Sequence, residues 1–376
     1  MKKLLVSTVL IGMVLEAHAQ SSVTLYGRLD AALEYMSGVP TNPNSAGVAQ
    51  GSASRFRAVD GNWQGSFWGM KGSEDLGGGN KVLFQLESGF SLMNGQGSSE
   101  GLFNRWADVG VANDSYGTFM MGRQFFIAND VWDFDPFGQS NWSSATLVRG
   151  RNWPFSSNNV SYQSPKFGGF DFAGQYSFSN ATSFNGNGTT AQGREAGAHI
   201  TYTSALFQAR AMYDEIRNNI NGSLGDPTAG APNGPFNYGR EYFAGINVFL
   251  GNFKIQAVYQ GDRTSGETGV PIGTPTTTDQ EWGGVTWQAT PAAALIAAVY
   301  HVNANNGAGN GTMYTVGGSY NLSKRTMLNM QLATTRNSKT ANFALNENDA
   351  GNTVGSDNPL PGHAQSGVYT GIQHLF

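Results

Sequence analysis

Residues 366–376 read S-G-V-Y-T-G-I-Q-H-L-F, and nothing polar follows Phe376. Chain ends usually fray into hydrophilic residues unless something ties them down. This one alternates. Val368, Thr370, Ile372, His374 and Phe376 fall on one face, and Tyr369, Gly371, Gln373 and Leu375 on the other. A period of two belongs to a strand. The stretch favours a strand that holds its last ring at a fixed depth over an ordinary terminal strand of a soluble sheet, and the rest of the sequence has to decide.

The other terminus speaks to compartment. Lys2 and Lys3 precede an apolar run from Leu4 to Leu15, and Ala17-His18-Ala19 closes it. A charged start, a short apolar stretch and an A-x-A site predict a cleaved signal peptide over 1–19. The run is too short for a membrane-spanning helix. Residues 20–376 are then expected to form a single domain.

Composition narrows the class. The chain has no cysteine, so it has no disulfide framework. Charged residues make up only 13 %, aromatics 12 %, and glycine occurs 51 times. A soluble surface usually carries about 25 % charge or more. Without Lys2, Lys3 and Glu16, the 22 basic and 26 acidic residues become 20 and 25, a net charge of −5. That leaves no basic surplus for nucleic acid.

One rhythm repeats along the whole length. In V-T-L-Y-G-R-L-D-A-A-L-E-Y, residues 23–35, Val23, Leu25, Leu29, Ala31, Leu33 and Tyr35 share a face against Thr24, Arg28, Asp30 and Glu34. A polar, Gly-rich stretch to about Asn62 reads as a loop. Residues 81–87, 103–111, 118–124, 170–178, 196–202, 207–213, 243–249 and 253–259 alternate in the same way, and further pairs lie near 281–303 and 312–336. Sixteen strands are expected. The connections alternate between short turns and long loops.

Alternation alone fits a soluble sandwich or a membrane barrel. Three features favour the barrel. The strands approach the roughly 9–11 residues that a tilted membrane strand needs. Aromatic residues sit at strand ends, at Tyr35, Phe178, Tyr202, Tyr213, Tyr259, Tyr300 and Phe376, where interfacial girdles belong. Short turns on one side oppose long loops on the other. The fold class expected is therefore all-β, a transmembrane antiparallel β-barrel of sixteen strands. A sheet in lipid can have no open edge, so the last strand must pair with the first.

Several stretches carry a resemblance. They are S-S-V-T-L-Y-G-R-L-D at 21–30, W-G-M-K-G-S-E-D-L-G-G-G at 68–79, Y-G-T-x-x-x-G-R-Q at 116–124, D-P-F-G at 135–138, Y-Q-S-P-K-F-G-G-F at 162–170 and G-I-Q-H-L-F at the end. In this order they resemble the trimeric general porins of Gram-negative outer membranes, of the beta-proteobacterial type. The resemblance covers essentially the whole mature chain. It implies a homotrimer in outer-membrane lipid and lipopolysaccharide, inserted by the barrel assembly machinery through the C-terminal strand with Phe376. It also implies that loop 3 folds into the lumen, and that ions and small hydrophilic solutes pass by diffusion. The wall arginines implied are Arg28 and Arg123, with Arg105, Arg149 and Arg151 as further candidates. The acidic side implied is Asp130, Asp133 and Asp135 of loop 3. The sequence departs from the family twice. Phe67 stands where an arginine is usual before W-G-M-K-G, and no arginine occurs at Phe155 or Ser156.

Other readings stay in view. Trp132, Phe134, Phe137, Trp142, Trp153 and Phe155 crowd loop 3 and fit either a stacking surface for sugars or aromatic acids or packing of the loop against the wall. A surface adhesin with the same barrel is a third option. The histidines have no metal-ligand spacing. No nucleophile has a base and orienter, and no cofactor motif occurs, so neither an enzyme nor a cofactor is expected.

Overall fold

The computed structural model describes residues 22–43, 49–97, 101–138, 140–147, 155–178, 194–217, 238–265, 272–273, 275–346 and 357–376. The signal read at 1–19 lies outside them. The strands are β1 (Ser22–Pro43), β2 (Ala49–Asp60), β3 (Phe67–Gly77), β4 (Asn80–Gly89), β5 (Ala107–Asn113), β6 (Gly117–Phe125), β7 (Phe155–Gln163), β8 (Phe170–Ser177) and β9 (Arg194–Thr203). They continue with β10 (Phe207–Arg217), β11 (Tyr238–Leu250), β12 (Phe253–Ser265), β13 (Thr277–Gln288), β14 (Ala293–Ala304), β15 (Gly309–Asn321), β16 (Thr326–Asn337) and β17 (Gln365–Leu375).

All pairings are antiparallel, and the sheet closes on itself. Arg28–Ser37 of β1 run against Leu375–Ser366 of β17, and Gly27 and Phe376 exchange two backbone hydrogen bonds at 3.1 Å. No helix among the described residues is long and apolar enough to cross a membrane, so the crossing elements are strands.

The barrel has sixteen staves although seventeen strands are described, because β2 and β3 share one. Both pair with β1. Ala31 faces Asp60 and Arg28 faces Phe67, so three steps along β1 correspond to seven along its partner, and four residues are extruded within 61–66. Gly61 at φ 73° starts the excursion. The Gly-rich stretch expected as a loop is thus largely a long hairpin. Its inward apolar residues Met36, Val39 and Val59 are spread among Ser, Gly and Ala and change parity at the register shift between Met36 and Val39, so a period of two does not reveal it.

The faces follow the alternation. Val23, Leu25, Leu33, Val109, Val111, Phe119, Met121, Phe170 and Phe172 are exposed on the outside, while Asp30, Glu34, Glu87 and Asp108 are buried within. The periplasmic-type turns are short, from two residues at 78–79 to six at 164–169. Tyr300 departs from the expected girdle. It shares the inward face with Ala298 and Val302 and is fully buried.

The largest apolar cluster lies inside the barrel. The segment between β6 and β7 turns inward as two 3-10 turns, Ile127–Phe134 and Ser144–Thr146. Phe134, Phe137 and Trp142 pack against Met212, Phe243, Trp282, Tyr300 and Tyr369 of the wall. Glycines make this approach possible. A β-carbon on Gly197, Gly245, Gly284, Gly317 or Gly367 would lie 2.3–3.1 Å from Ile127, Phe134, Pro136, Phe137 and Trp142 respectively. These glycines stand on β9, β11, β13, β15 and β17. They form a track of bare backbone around half the barrel, and the loop lies on it.

Candidate functional site

The loop is fastened along that track. Trp282 donates its indole N–H to the Phe134 carbonyl at 3.2 Å, and Gln331 donates to the Trp142 carbonyl at 2.7 Å. The Trp142 indole donates to Asn346 at 2.6 Å. Asp135 is the central clasp. Its carboxylate accepts from the Ser144 and Phe137 backbone N–H groups at 2.9 and 2.8 Å and from the Tyr300 hydroxyl at 2.6 Å. Burial pushes this carboxyl above its ordinary value, although the Ser144 and Tyr300 hydrogen bonds pull it back. Asp135 therefore sits inside the packed layer, away from water.

Asp130 and Asp133 keep more solvent. Asp130 Oδ2 lies 2.9 Å from His199 Nε2, and Asp133 accepts from Arg210 Nη1 at 2.8 Å. Arg210 also donates to the Asp130 carbonyl at 2.8 Å and lies over the Phe134 ring. The exposed Asp133 carboxylate (58 % accessible) remains the most open acidic group of the three.

The arc from β1 to β7 carries the basic side, and the loop meets it at Asn62, where the Asn141 N–H donates to the Asn62 carbonyl at 2.9 Å, and at the rings of Trp63 and Phe125. Arg28 projects inward from β1 and donates to the Gly65 carbonyl at 2.8 Å and to Gln64. Both acceptors belong to the extruded 61–66 segment, so the bulge holds this arginine. Arg123 has the parity of the outward-facing Phe119 and Met121. A register shift between Gly122 and Gln124 intervenes, with Gly122 at φ 134° and Asn158 opposite at φ 51°. Past it, Arg123 donates to the Asn104 carbonyl at 2.6 Å and to Ser157 at 2.8 Å. Arg105 donates through Nε to Glu87 at 3.0 Å.

The two phenylalanines at the family's arginine positions lie between these cations. Phe67 has Arg28 Cζ at 5.0 Å and Arg105 Cζ at 4.6 Å from its ring centre. Phe155 has Arg105 at 5.1 Å and Arg123 at 5.6 Å. Phe125 stacks on Phe155 at 4.6 Å. Cations and rings thus alternate along the wall as Arg28, Phe67, Arg105, Phe155, Arg123. Such contacts are worth about 0.5–1 kcal/mol each where exposed and more when desolvated.

A second charged group lies toward the long loops. Glu34 accepts from Arg57 at 2.8 Å, and Asp357 accepts two hydrogen bonds from Arg55 at 2.7 and 2.6 Å. Burial alone would raise the Asp357 carboxyl, but the paired Arg55 outweighs it and holds the group below its usual value.

Of the residues expected from sequence, Arg28, Arg105 and Arg123 are brought together. Asp130 and Asp133 lie along the docked loop, Asp135 is sealed beneath it, and Phe376 closes the barrel against Gly27. Arg149, Arg151 and Trp153 lie outside the described residues. The loop aromatics divide: Phe134, Phe137 and Trp142 are packing, while Trp132 meets Phe125 at 5.8 Å on the side of the arginines. His199 and Arg210 were missed. Arg210 stands at an inward position of F-Q-A-R-A-M-Y, and that parity was the available signal.

The comparisons agree with this architecture. The family model described as Gram-negative porin matches residues 7–340. An outer membrane porin of Bordetella pertussis is 34 % identical over 243 residues, 61 % of this chain and 63 % of that protein, so the chain matches less than two thirds of that relative's length. Outer membrane porin protein 32 of Delftia acidovorans is 26 % identical over the full length of both. Among solved structures, an anion-selective porin from Comamonas acidovorans superposes with a TM-score of 0.73 at 24 % identity, covering 95 % of this chain and all of that one. The chain belongs to the Gram-negative porin family and is an integral outer-membrane β-barrel.

Proposed function

We propose that this porin-family barrel is a water-filled channel through which ions and small hydrophilic solutes diffuse passively. One observation carries the reading. The loop lies on the inner wall from β9 to β17, while Arg28, Arg105 and Arg123 stand together on the remaining arc, so solute passes between a cationic wall and the loop that carries Asp130 and Asp133. Charges arranged across a narrow aqueous path set up a field that favours polar over apolar solutes.

Anions are the favoured ions in this reading. The loop acids at Asp130 and Asp133 are engaged by His199 and Arg210, and Asp135 is buried, which leaves the wall cations less opposed. The name of the Comamonas structure points the same way for that protein. The working assembly proposed is a homotrimer in lipopolysaccharide-containing membrane, after the family. Planar-bilayer recording across a salt gradient tests the reading. Stepwise conductance in triplets with an anion-signed reversal potential is expected. A correctly folded barrel that passes no current overturns the channel, and a cation-signed potential overturns the preference.

A further inference from the structure

We propose that Arg105, flanked by Phe67 and Phe155, is a binding station on the channel wall for aromatic monocarboxylates, selecting them over aliphatic carboxylates of equal charge. The proposal rests on the channel reading above and adds a solute class to it.

The donors come first. Arg105 uses only Nε within the protein, in its bond to Glu87. Among the described residues no group accepts from either of its Nη atoms, and neither is sealed from solvent. A guanidinium with both terminal nitrogens free presents the fork that a carboxylate accepts in two parallel hydrogen bonds. Its Glu87 partner is buried behind it, so the guanidinium, and not the acid, meets the lumen.

The rings supply the selectivity. Phe67 lies 4.6 Å and Phe155 5.1 Å from the Arg105 carbon, and Phe125 extends the Phe155 stack. They hold the guanidinium in place, and Phe67 and Phe125 keep part of their surface open. A carboxylate docked on the Nη fork places its own substituent alongside these rings. A flat aromatic substituent gains offset or edge contacts there, whereas a saturated ring gains only area. A wall of arginines alone would bind both anions alike. The phenylalanines at 67 and 155 therefore change which anion is retained, while Arg28 and Arg123 on either side keep the approach cationic.

The test uses the full-length protein in planar bilayers carrying chloride current, with benzoate and cyclohexanecarboxylate added as blockers at neutral pH. Only channels that conduct chloride are scored, so a variant that fails to fold contributes nothing. Benzoate is expected to reach half-block at a concentration lower by roughly two- to tenfold, the range that aromatic pairing spans. F67L and F155L together are expected to bring the two anions level. R105K, which keeps the charge but loses the flat fork, should weaken benzoate more than cyclohexanecarboxylate. Equal block in the native channel, or a benzoate preference that survives F67L and F155L, overturns the station while leaving the channel standing. Absence of chloride current overturns the channel reading itself, and the station with it.

Discussion

The Phe376 ring lies over Gly27, with ring atoms 2.4 Å from the place where a β-carbon on residue 27 would be. The same two residues exchange the backbone hydrogen bonds that close the sheet. A glycine on the first stave and a ring on the last together make a seam, and the seam removes the edge that lipid would not tolerate.

Gly27→Val should therefore damage closure. Overpacking of this kind costs about 1–3 kcal/mol, and here the displaced ring is the one at the seam. The expected result is a lower fraction of heat-modifiable, membrane-inserted barrel on gel electrophoresis. Deleting Phe376 should lower it too. Normal insertion of both variants would separate the seam from assembly.

Trp142→Ala should loosen the far end of the loop. Trp142 is fully buried between Gly367 and Tyr369. Emptying such a site costs about 3–5 kcal/mol in a soluble core. Here the loop can lift, so single-channel conductance and open-channel noise should both rise. An unchanged conductance would mean that the remaining anchors hold the loop without this ring.

Arg28→Gln and Arg123→Gln should each move the reversal potential toward cations. A unit charge at about 4 Å in water favours an anion and disfavours a cation by about 1 kcal/mol each, so the permeability ratio changes by up to roughly thirtyfold. Salt should shrink the effect, because exposed charges are screened. A reversal potential that does not move would remove that arginine from the path of the ions.

Asp135 predicts a pH dependence of loop docking. It belongs to the loop, and its burial raises the carboxyl pKa in the docked state. The docked state thus holds its proton to higher pH than the free loop does. The extra stability is complete below the ordinary carboxylate value, about 4, and is lost as pH rises through the raised one. Channel noise should grow over that interval toward neutral pH, and Asp135→Asn should flatten the trend. A trend of the same size in the Asn variant would assign it to another group.

Much of the architecture was legible in the residues. The alternation of Val23 to Tyr35 and of Val368 to Phe376 gave direction to the side chains, and closure followed from the lack of any partner for backbone groups in lipid. The site was half legible. Arg28 lies inward by its parity, but Arg123 reaches the wall cluster only through the register shift beside Gly122, which strict alternation would have placed in lipid. Tyr300 read as a girdle residue because it ends an apolar strand, yet it faces inward and clasps Asp135.

Sequence by itself determined the barrel, since a period of two, strand length and edge closure are properties of one strand and its neighbours. Tertiary structure alone decided what narrows the barrel. The glycine track, the extruded 61–66 segment that grips Arg28, and the alternation of Arg28, Phe67, Arg105, Phe155 and Arg123 each join residues from several staves. Such contacts depend on shape across the lumen, and no local pattern encodes which distant surface a loop will find.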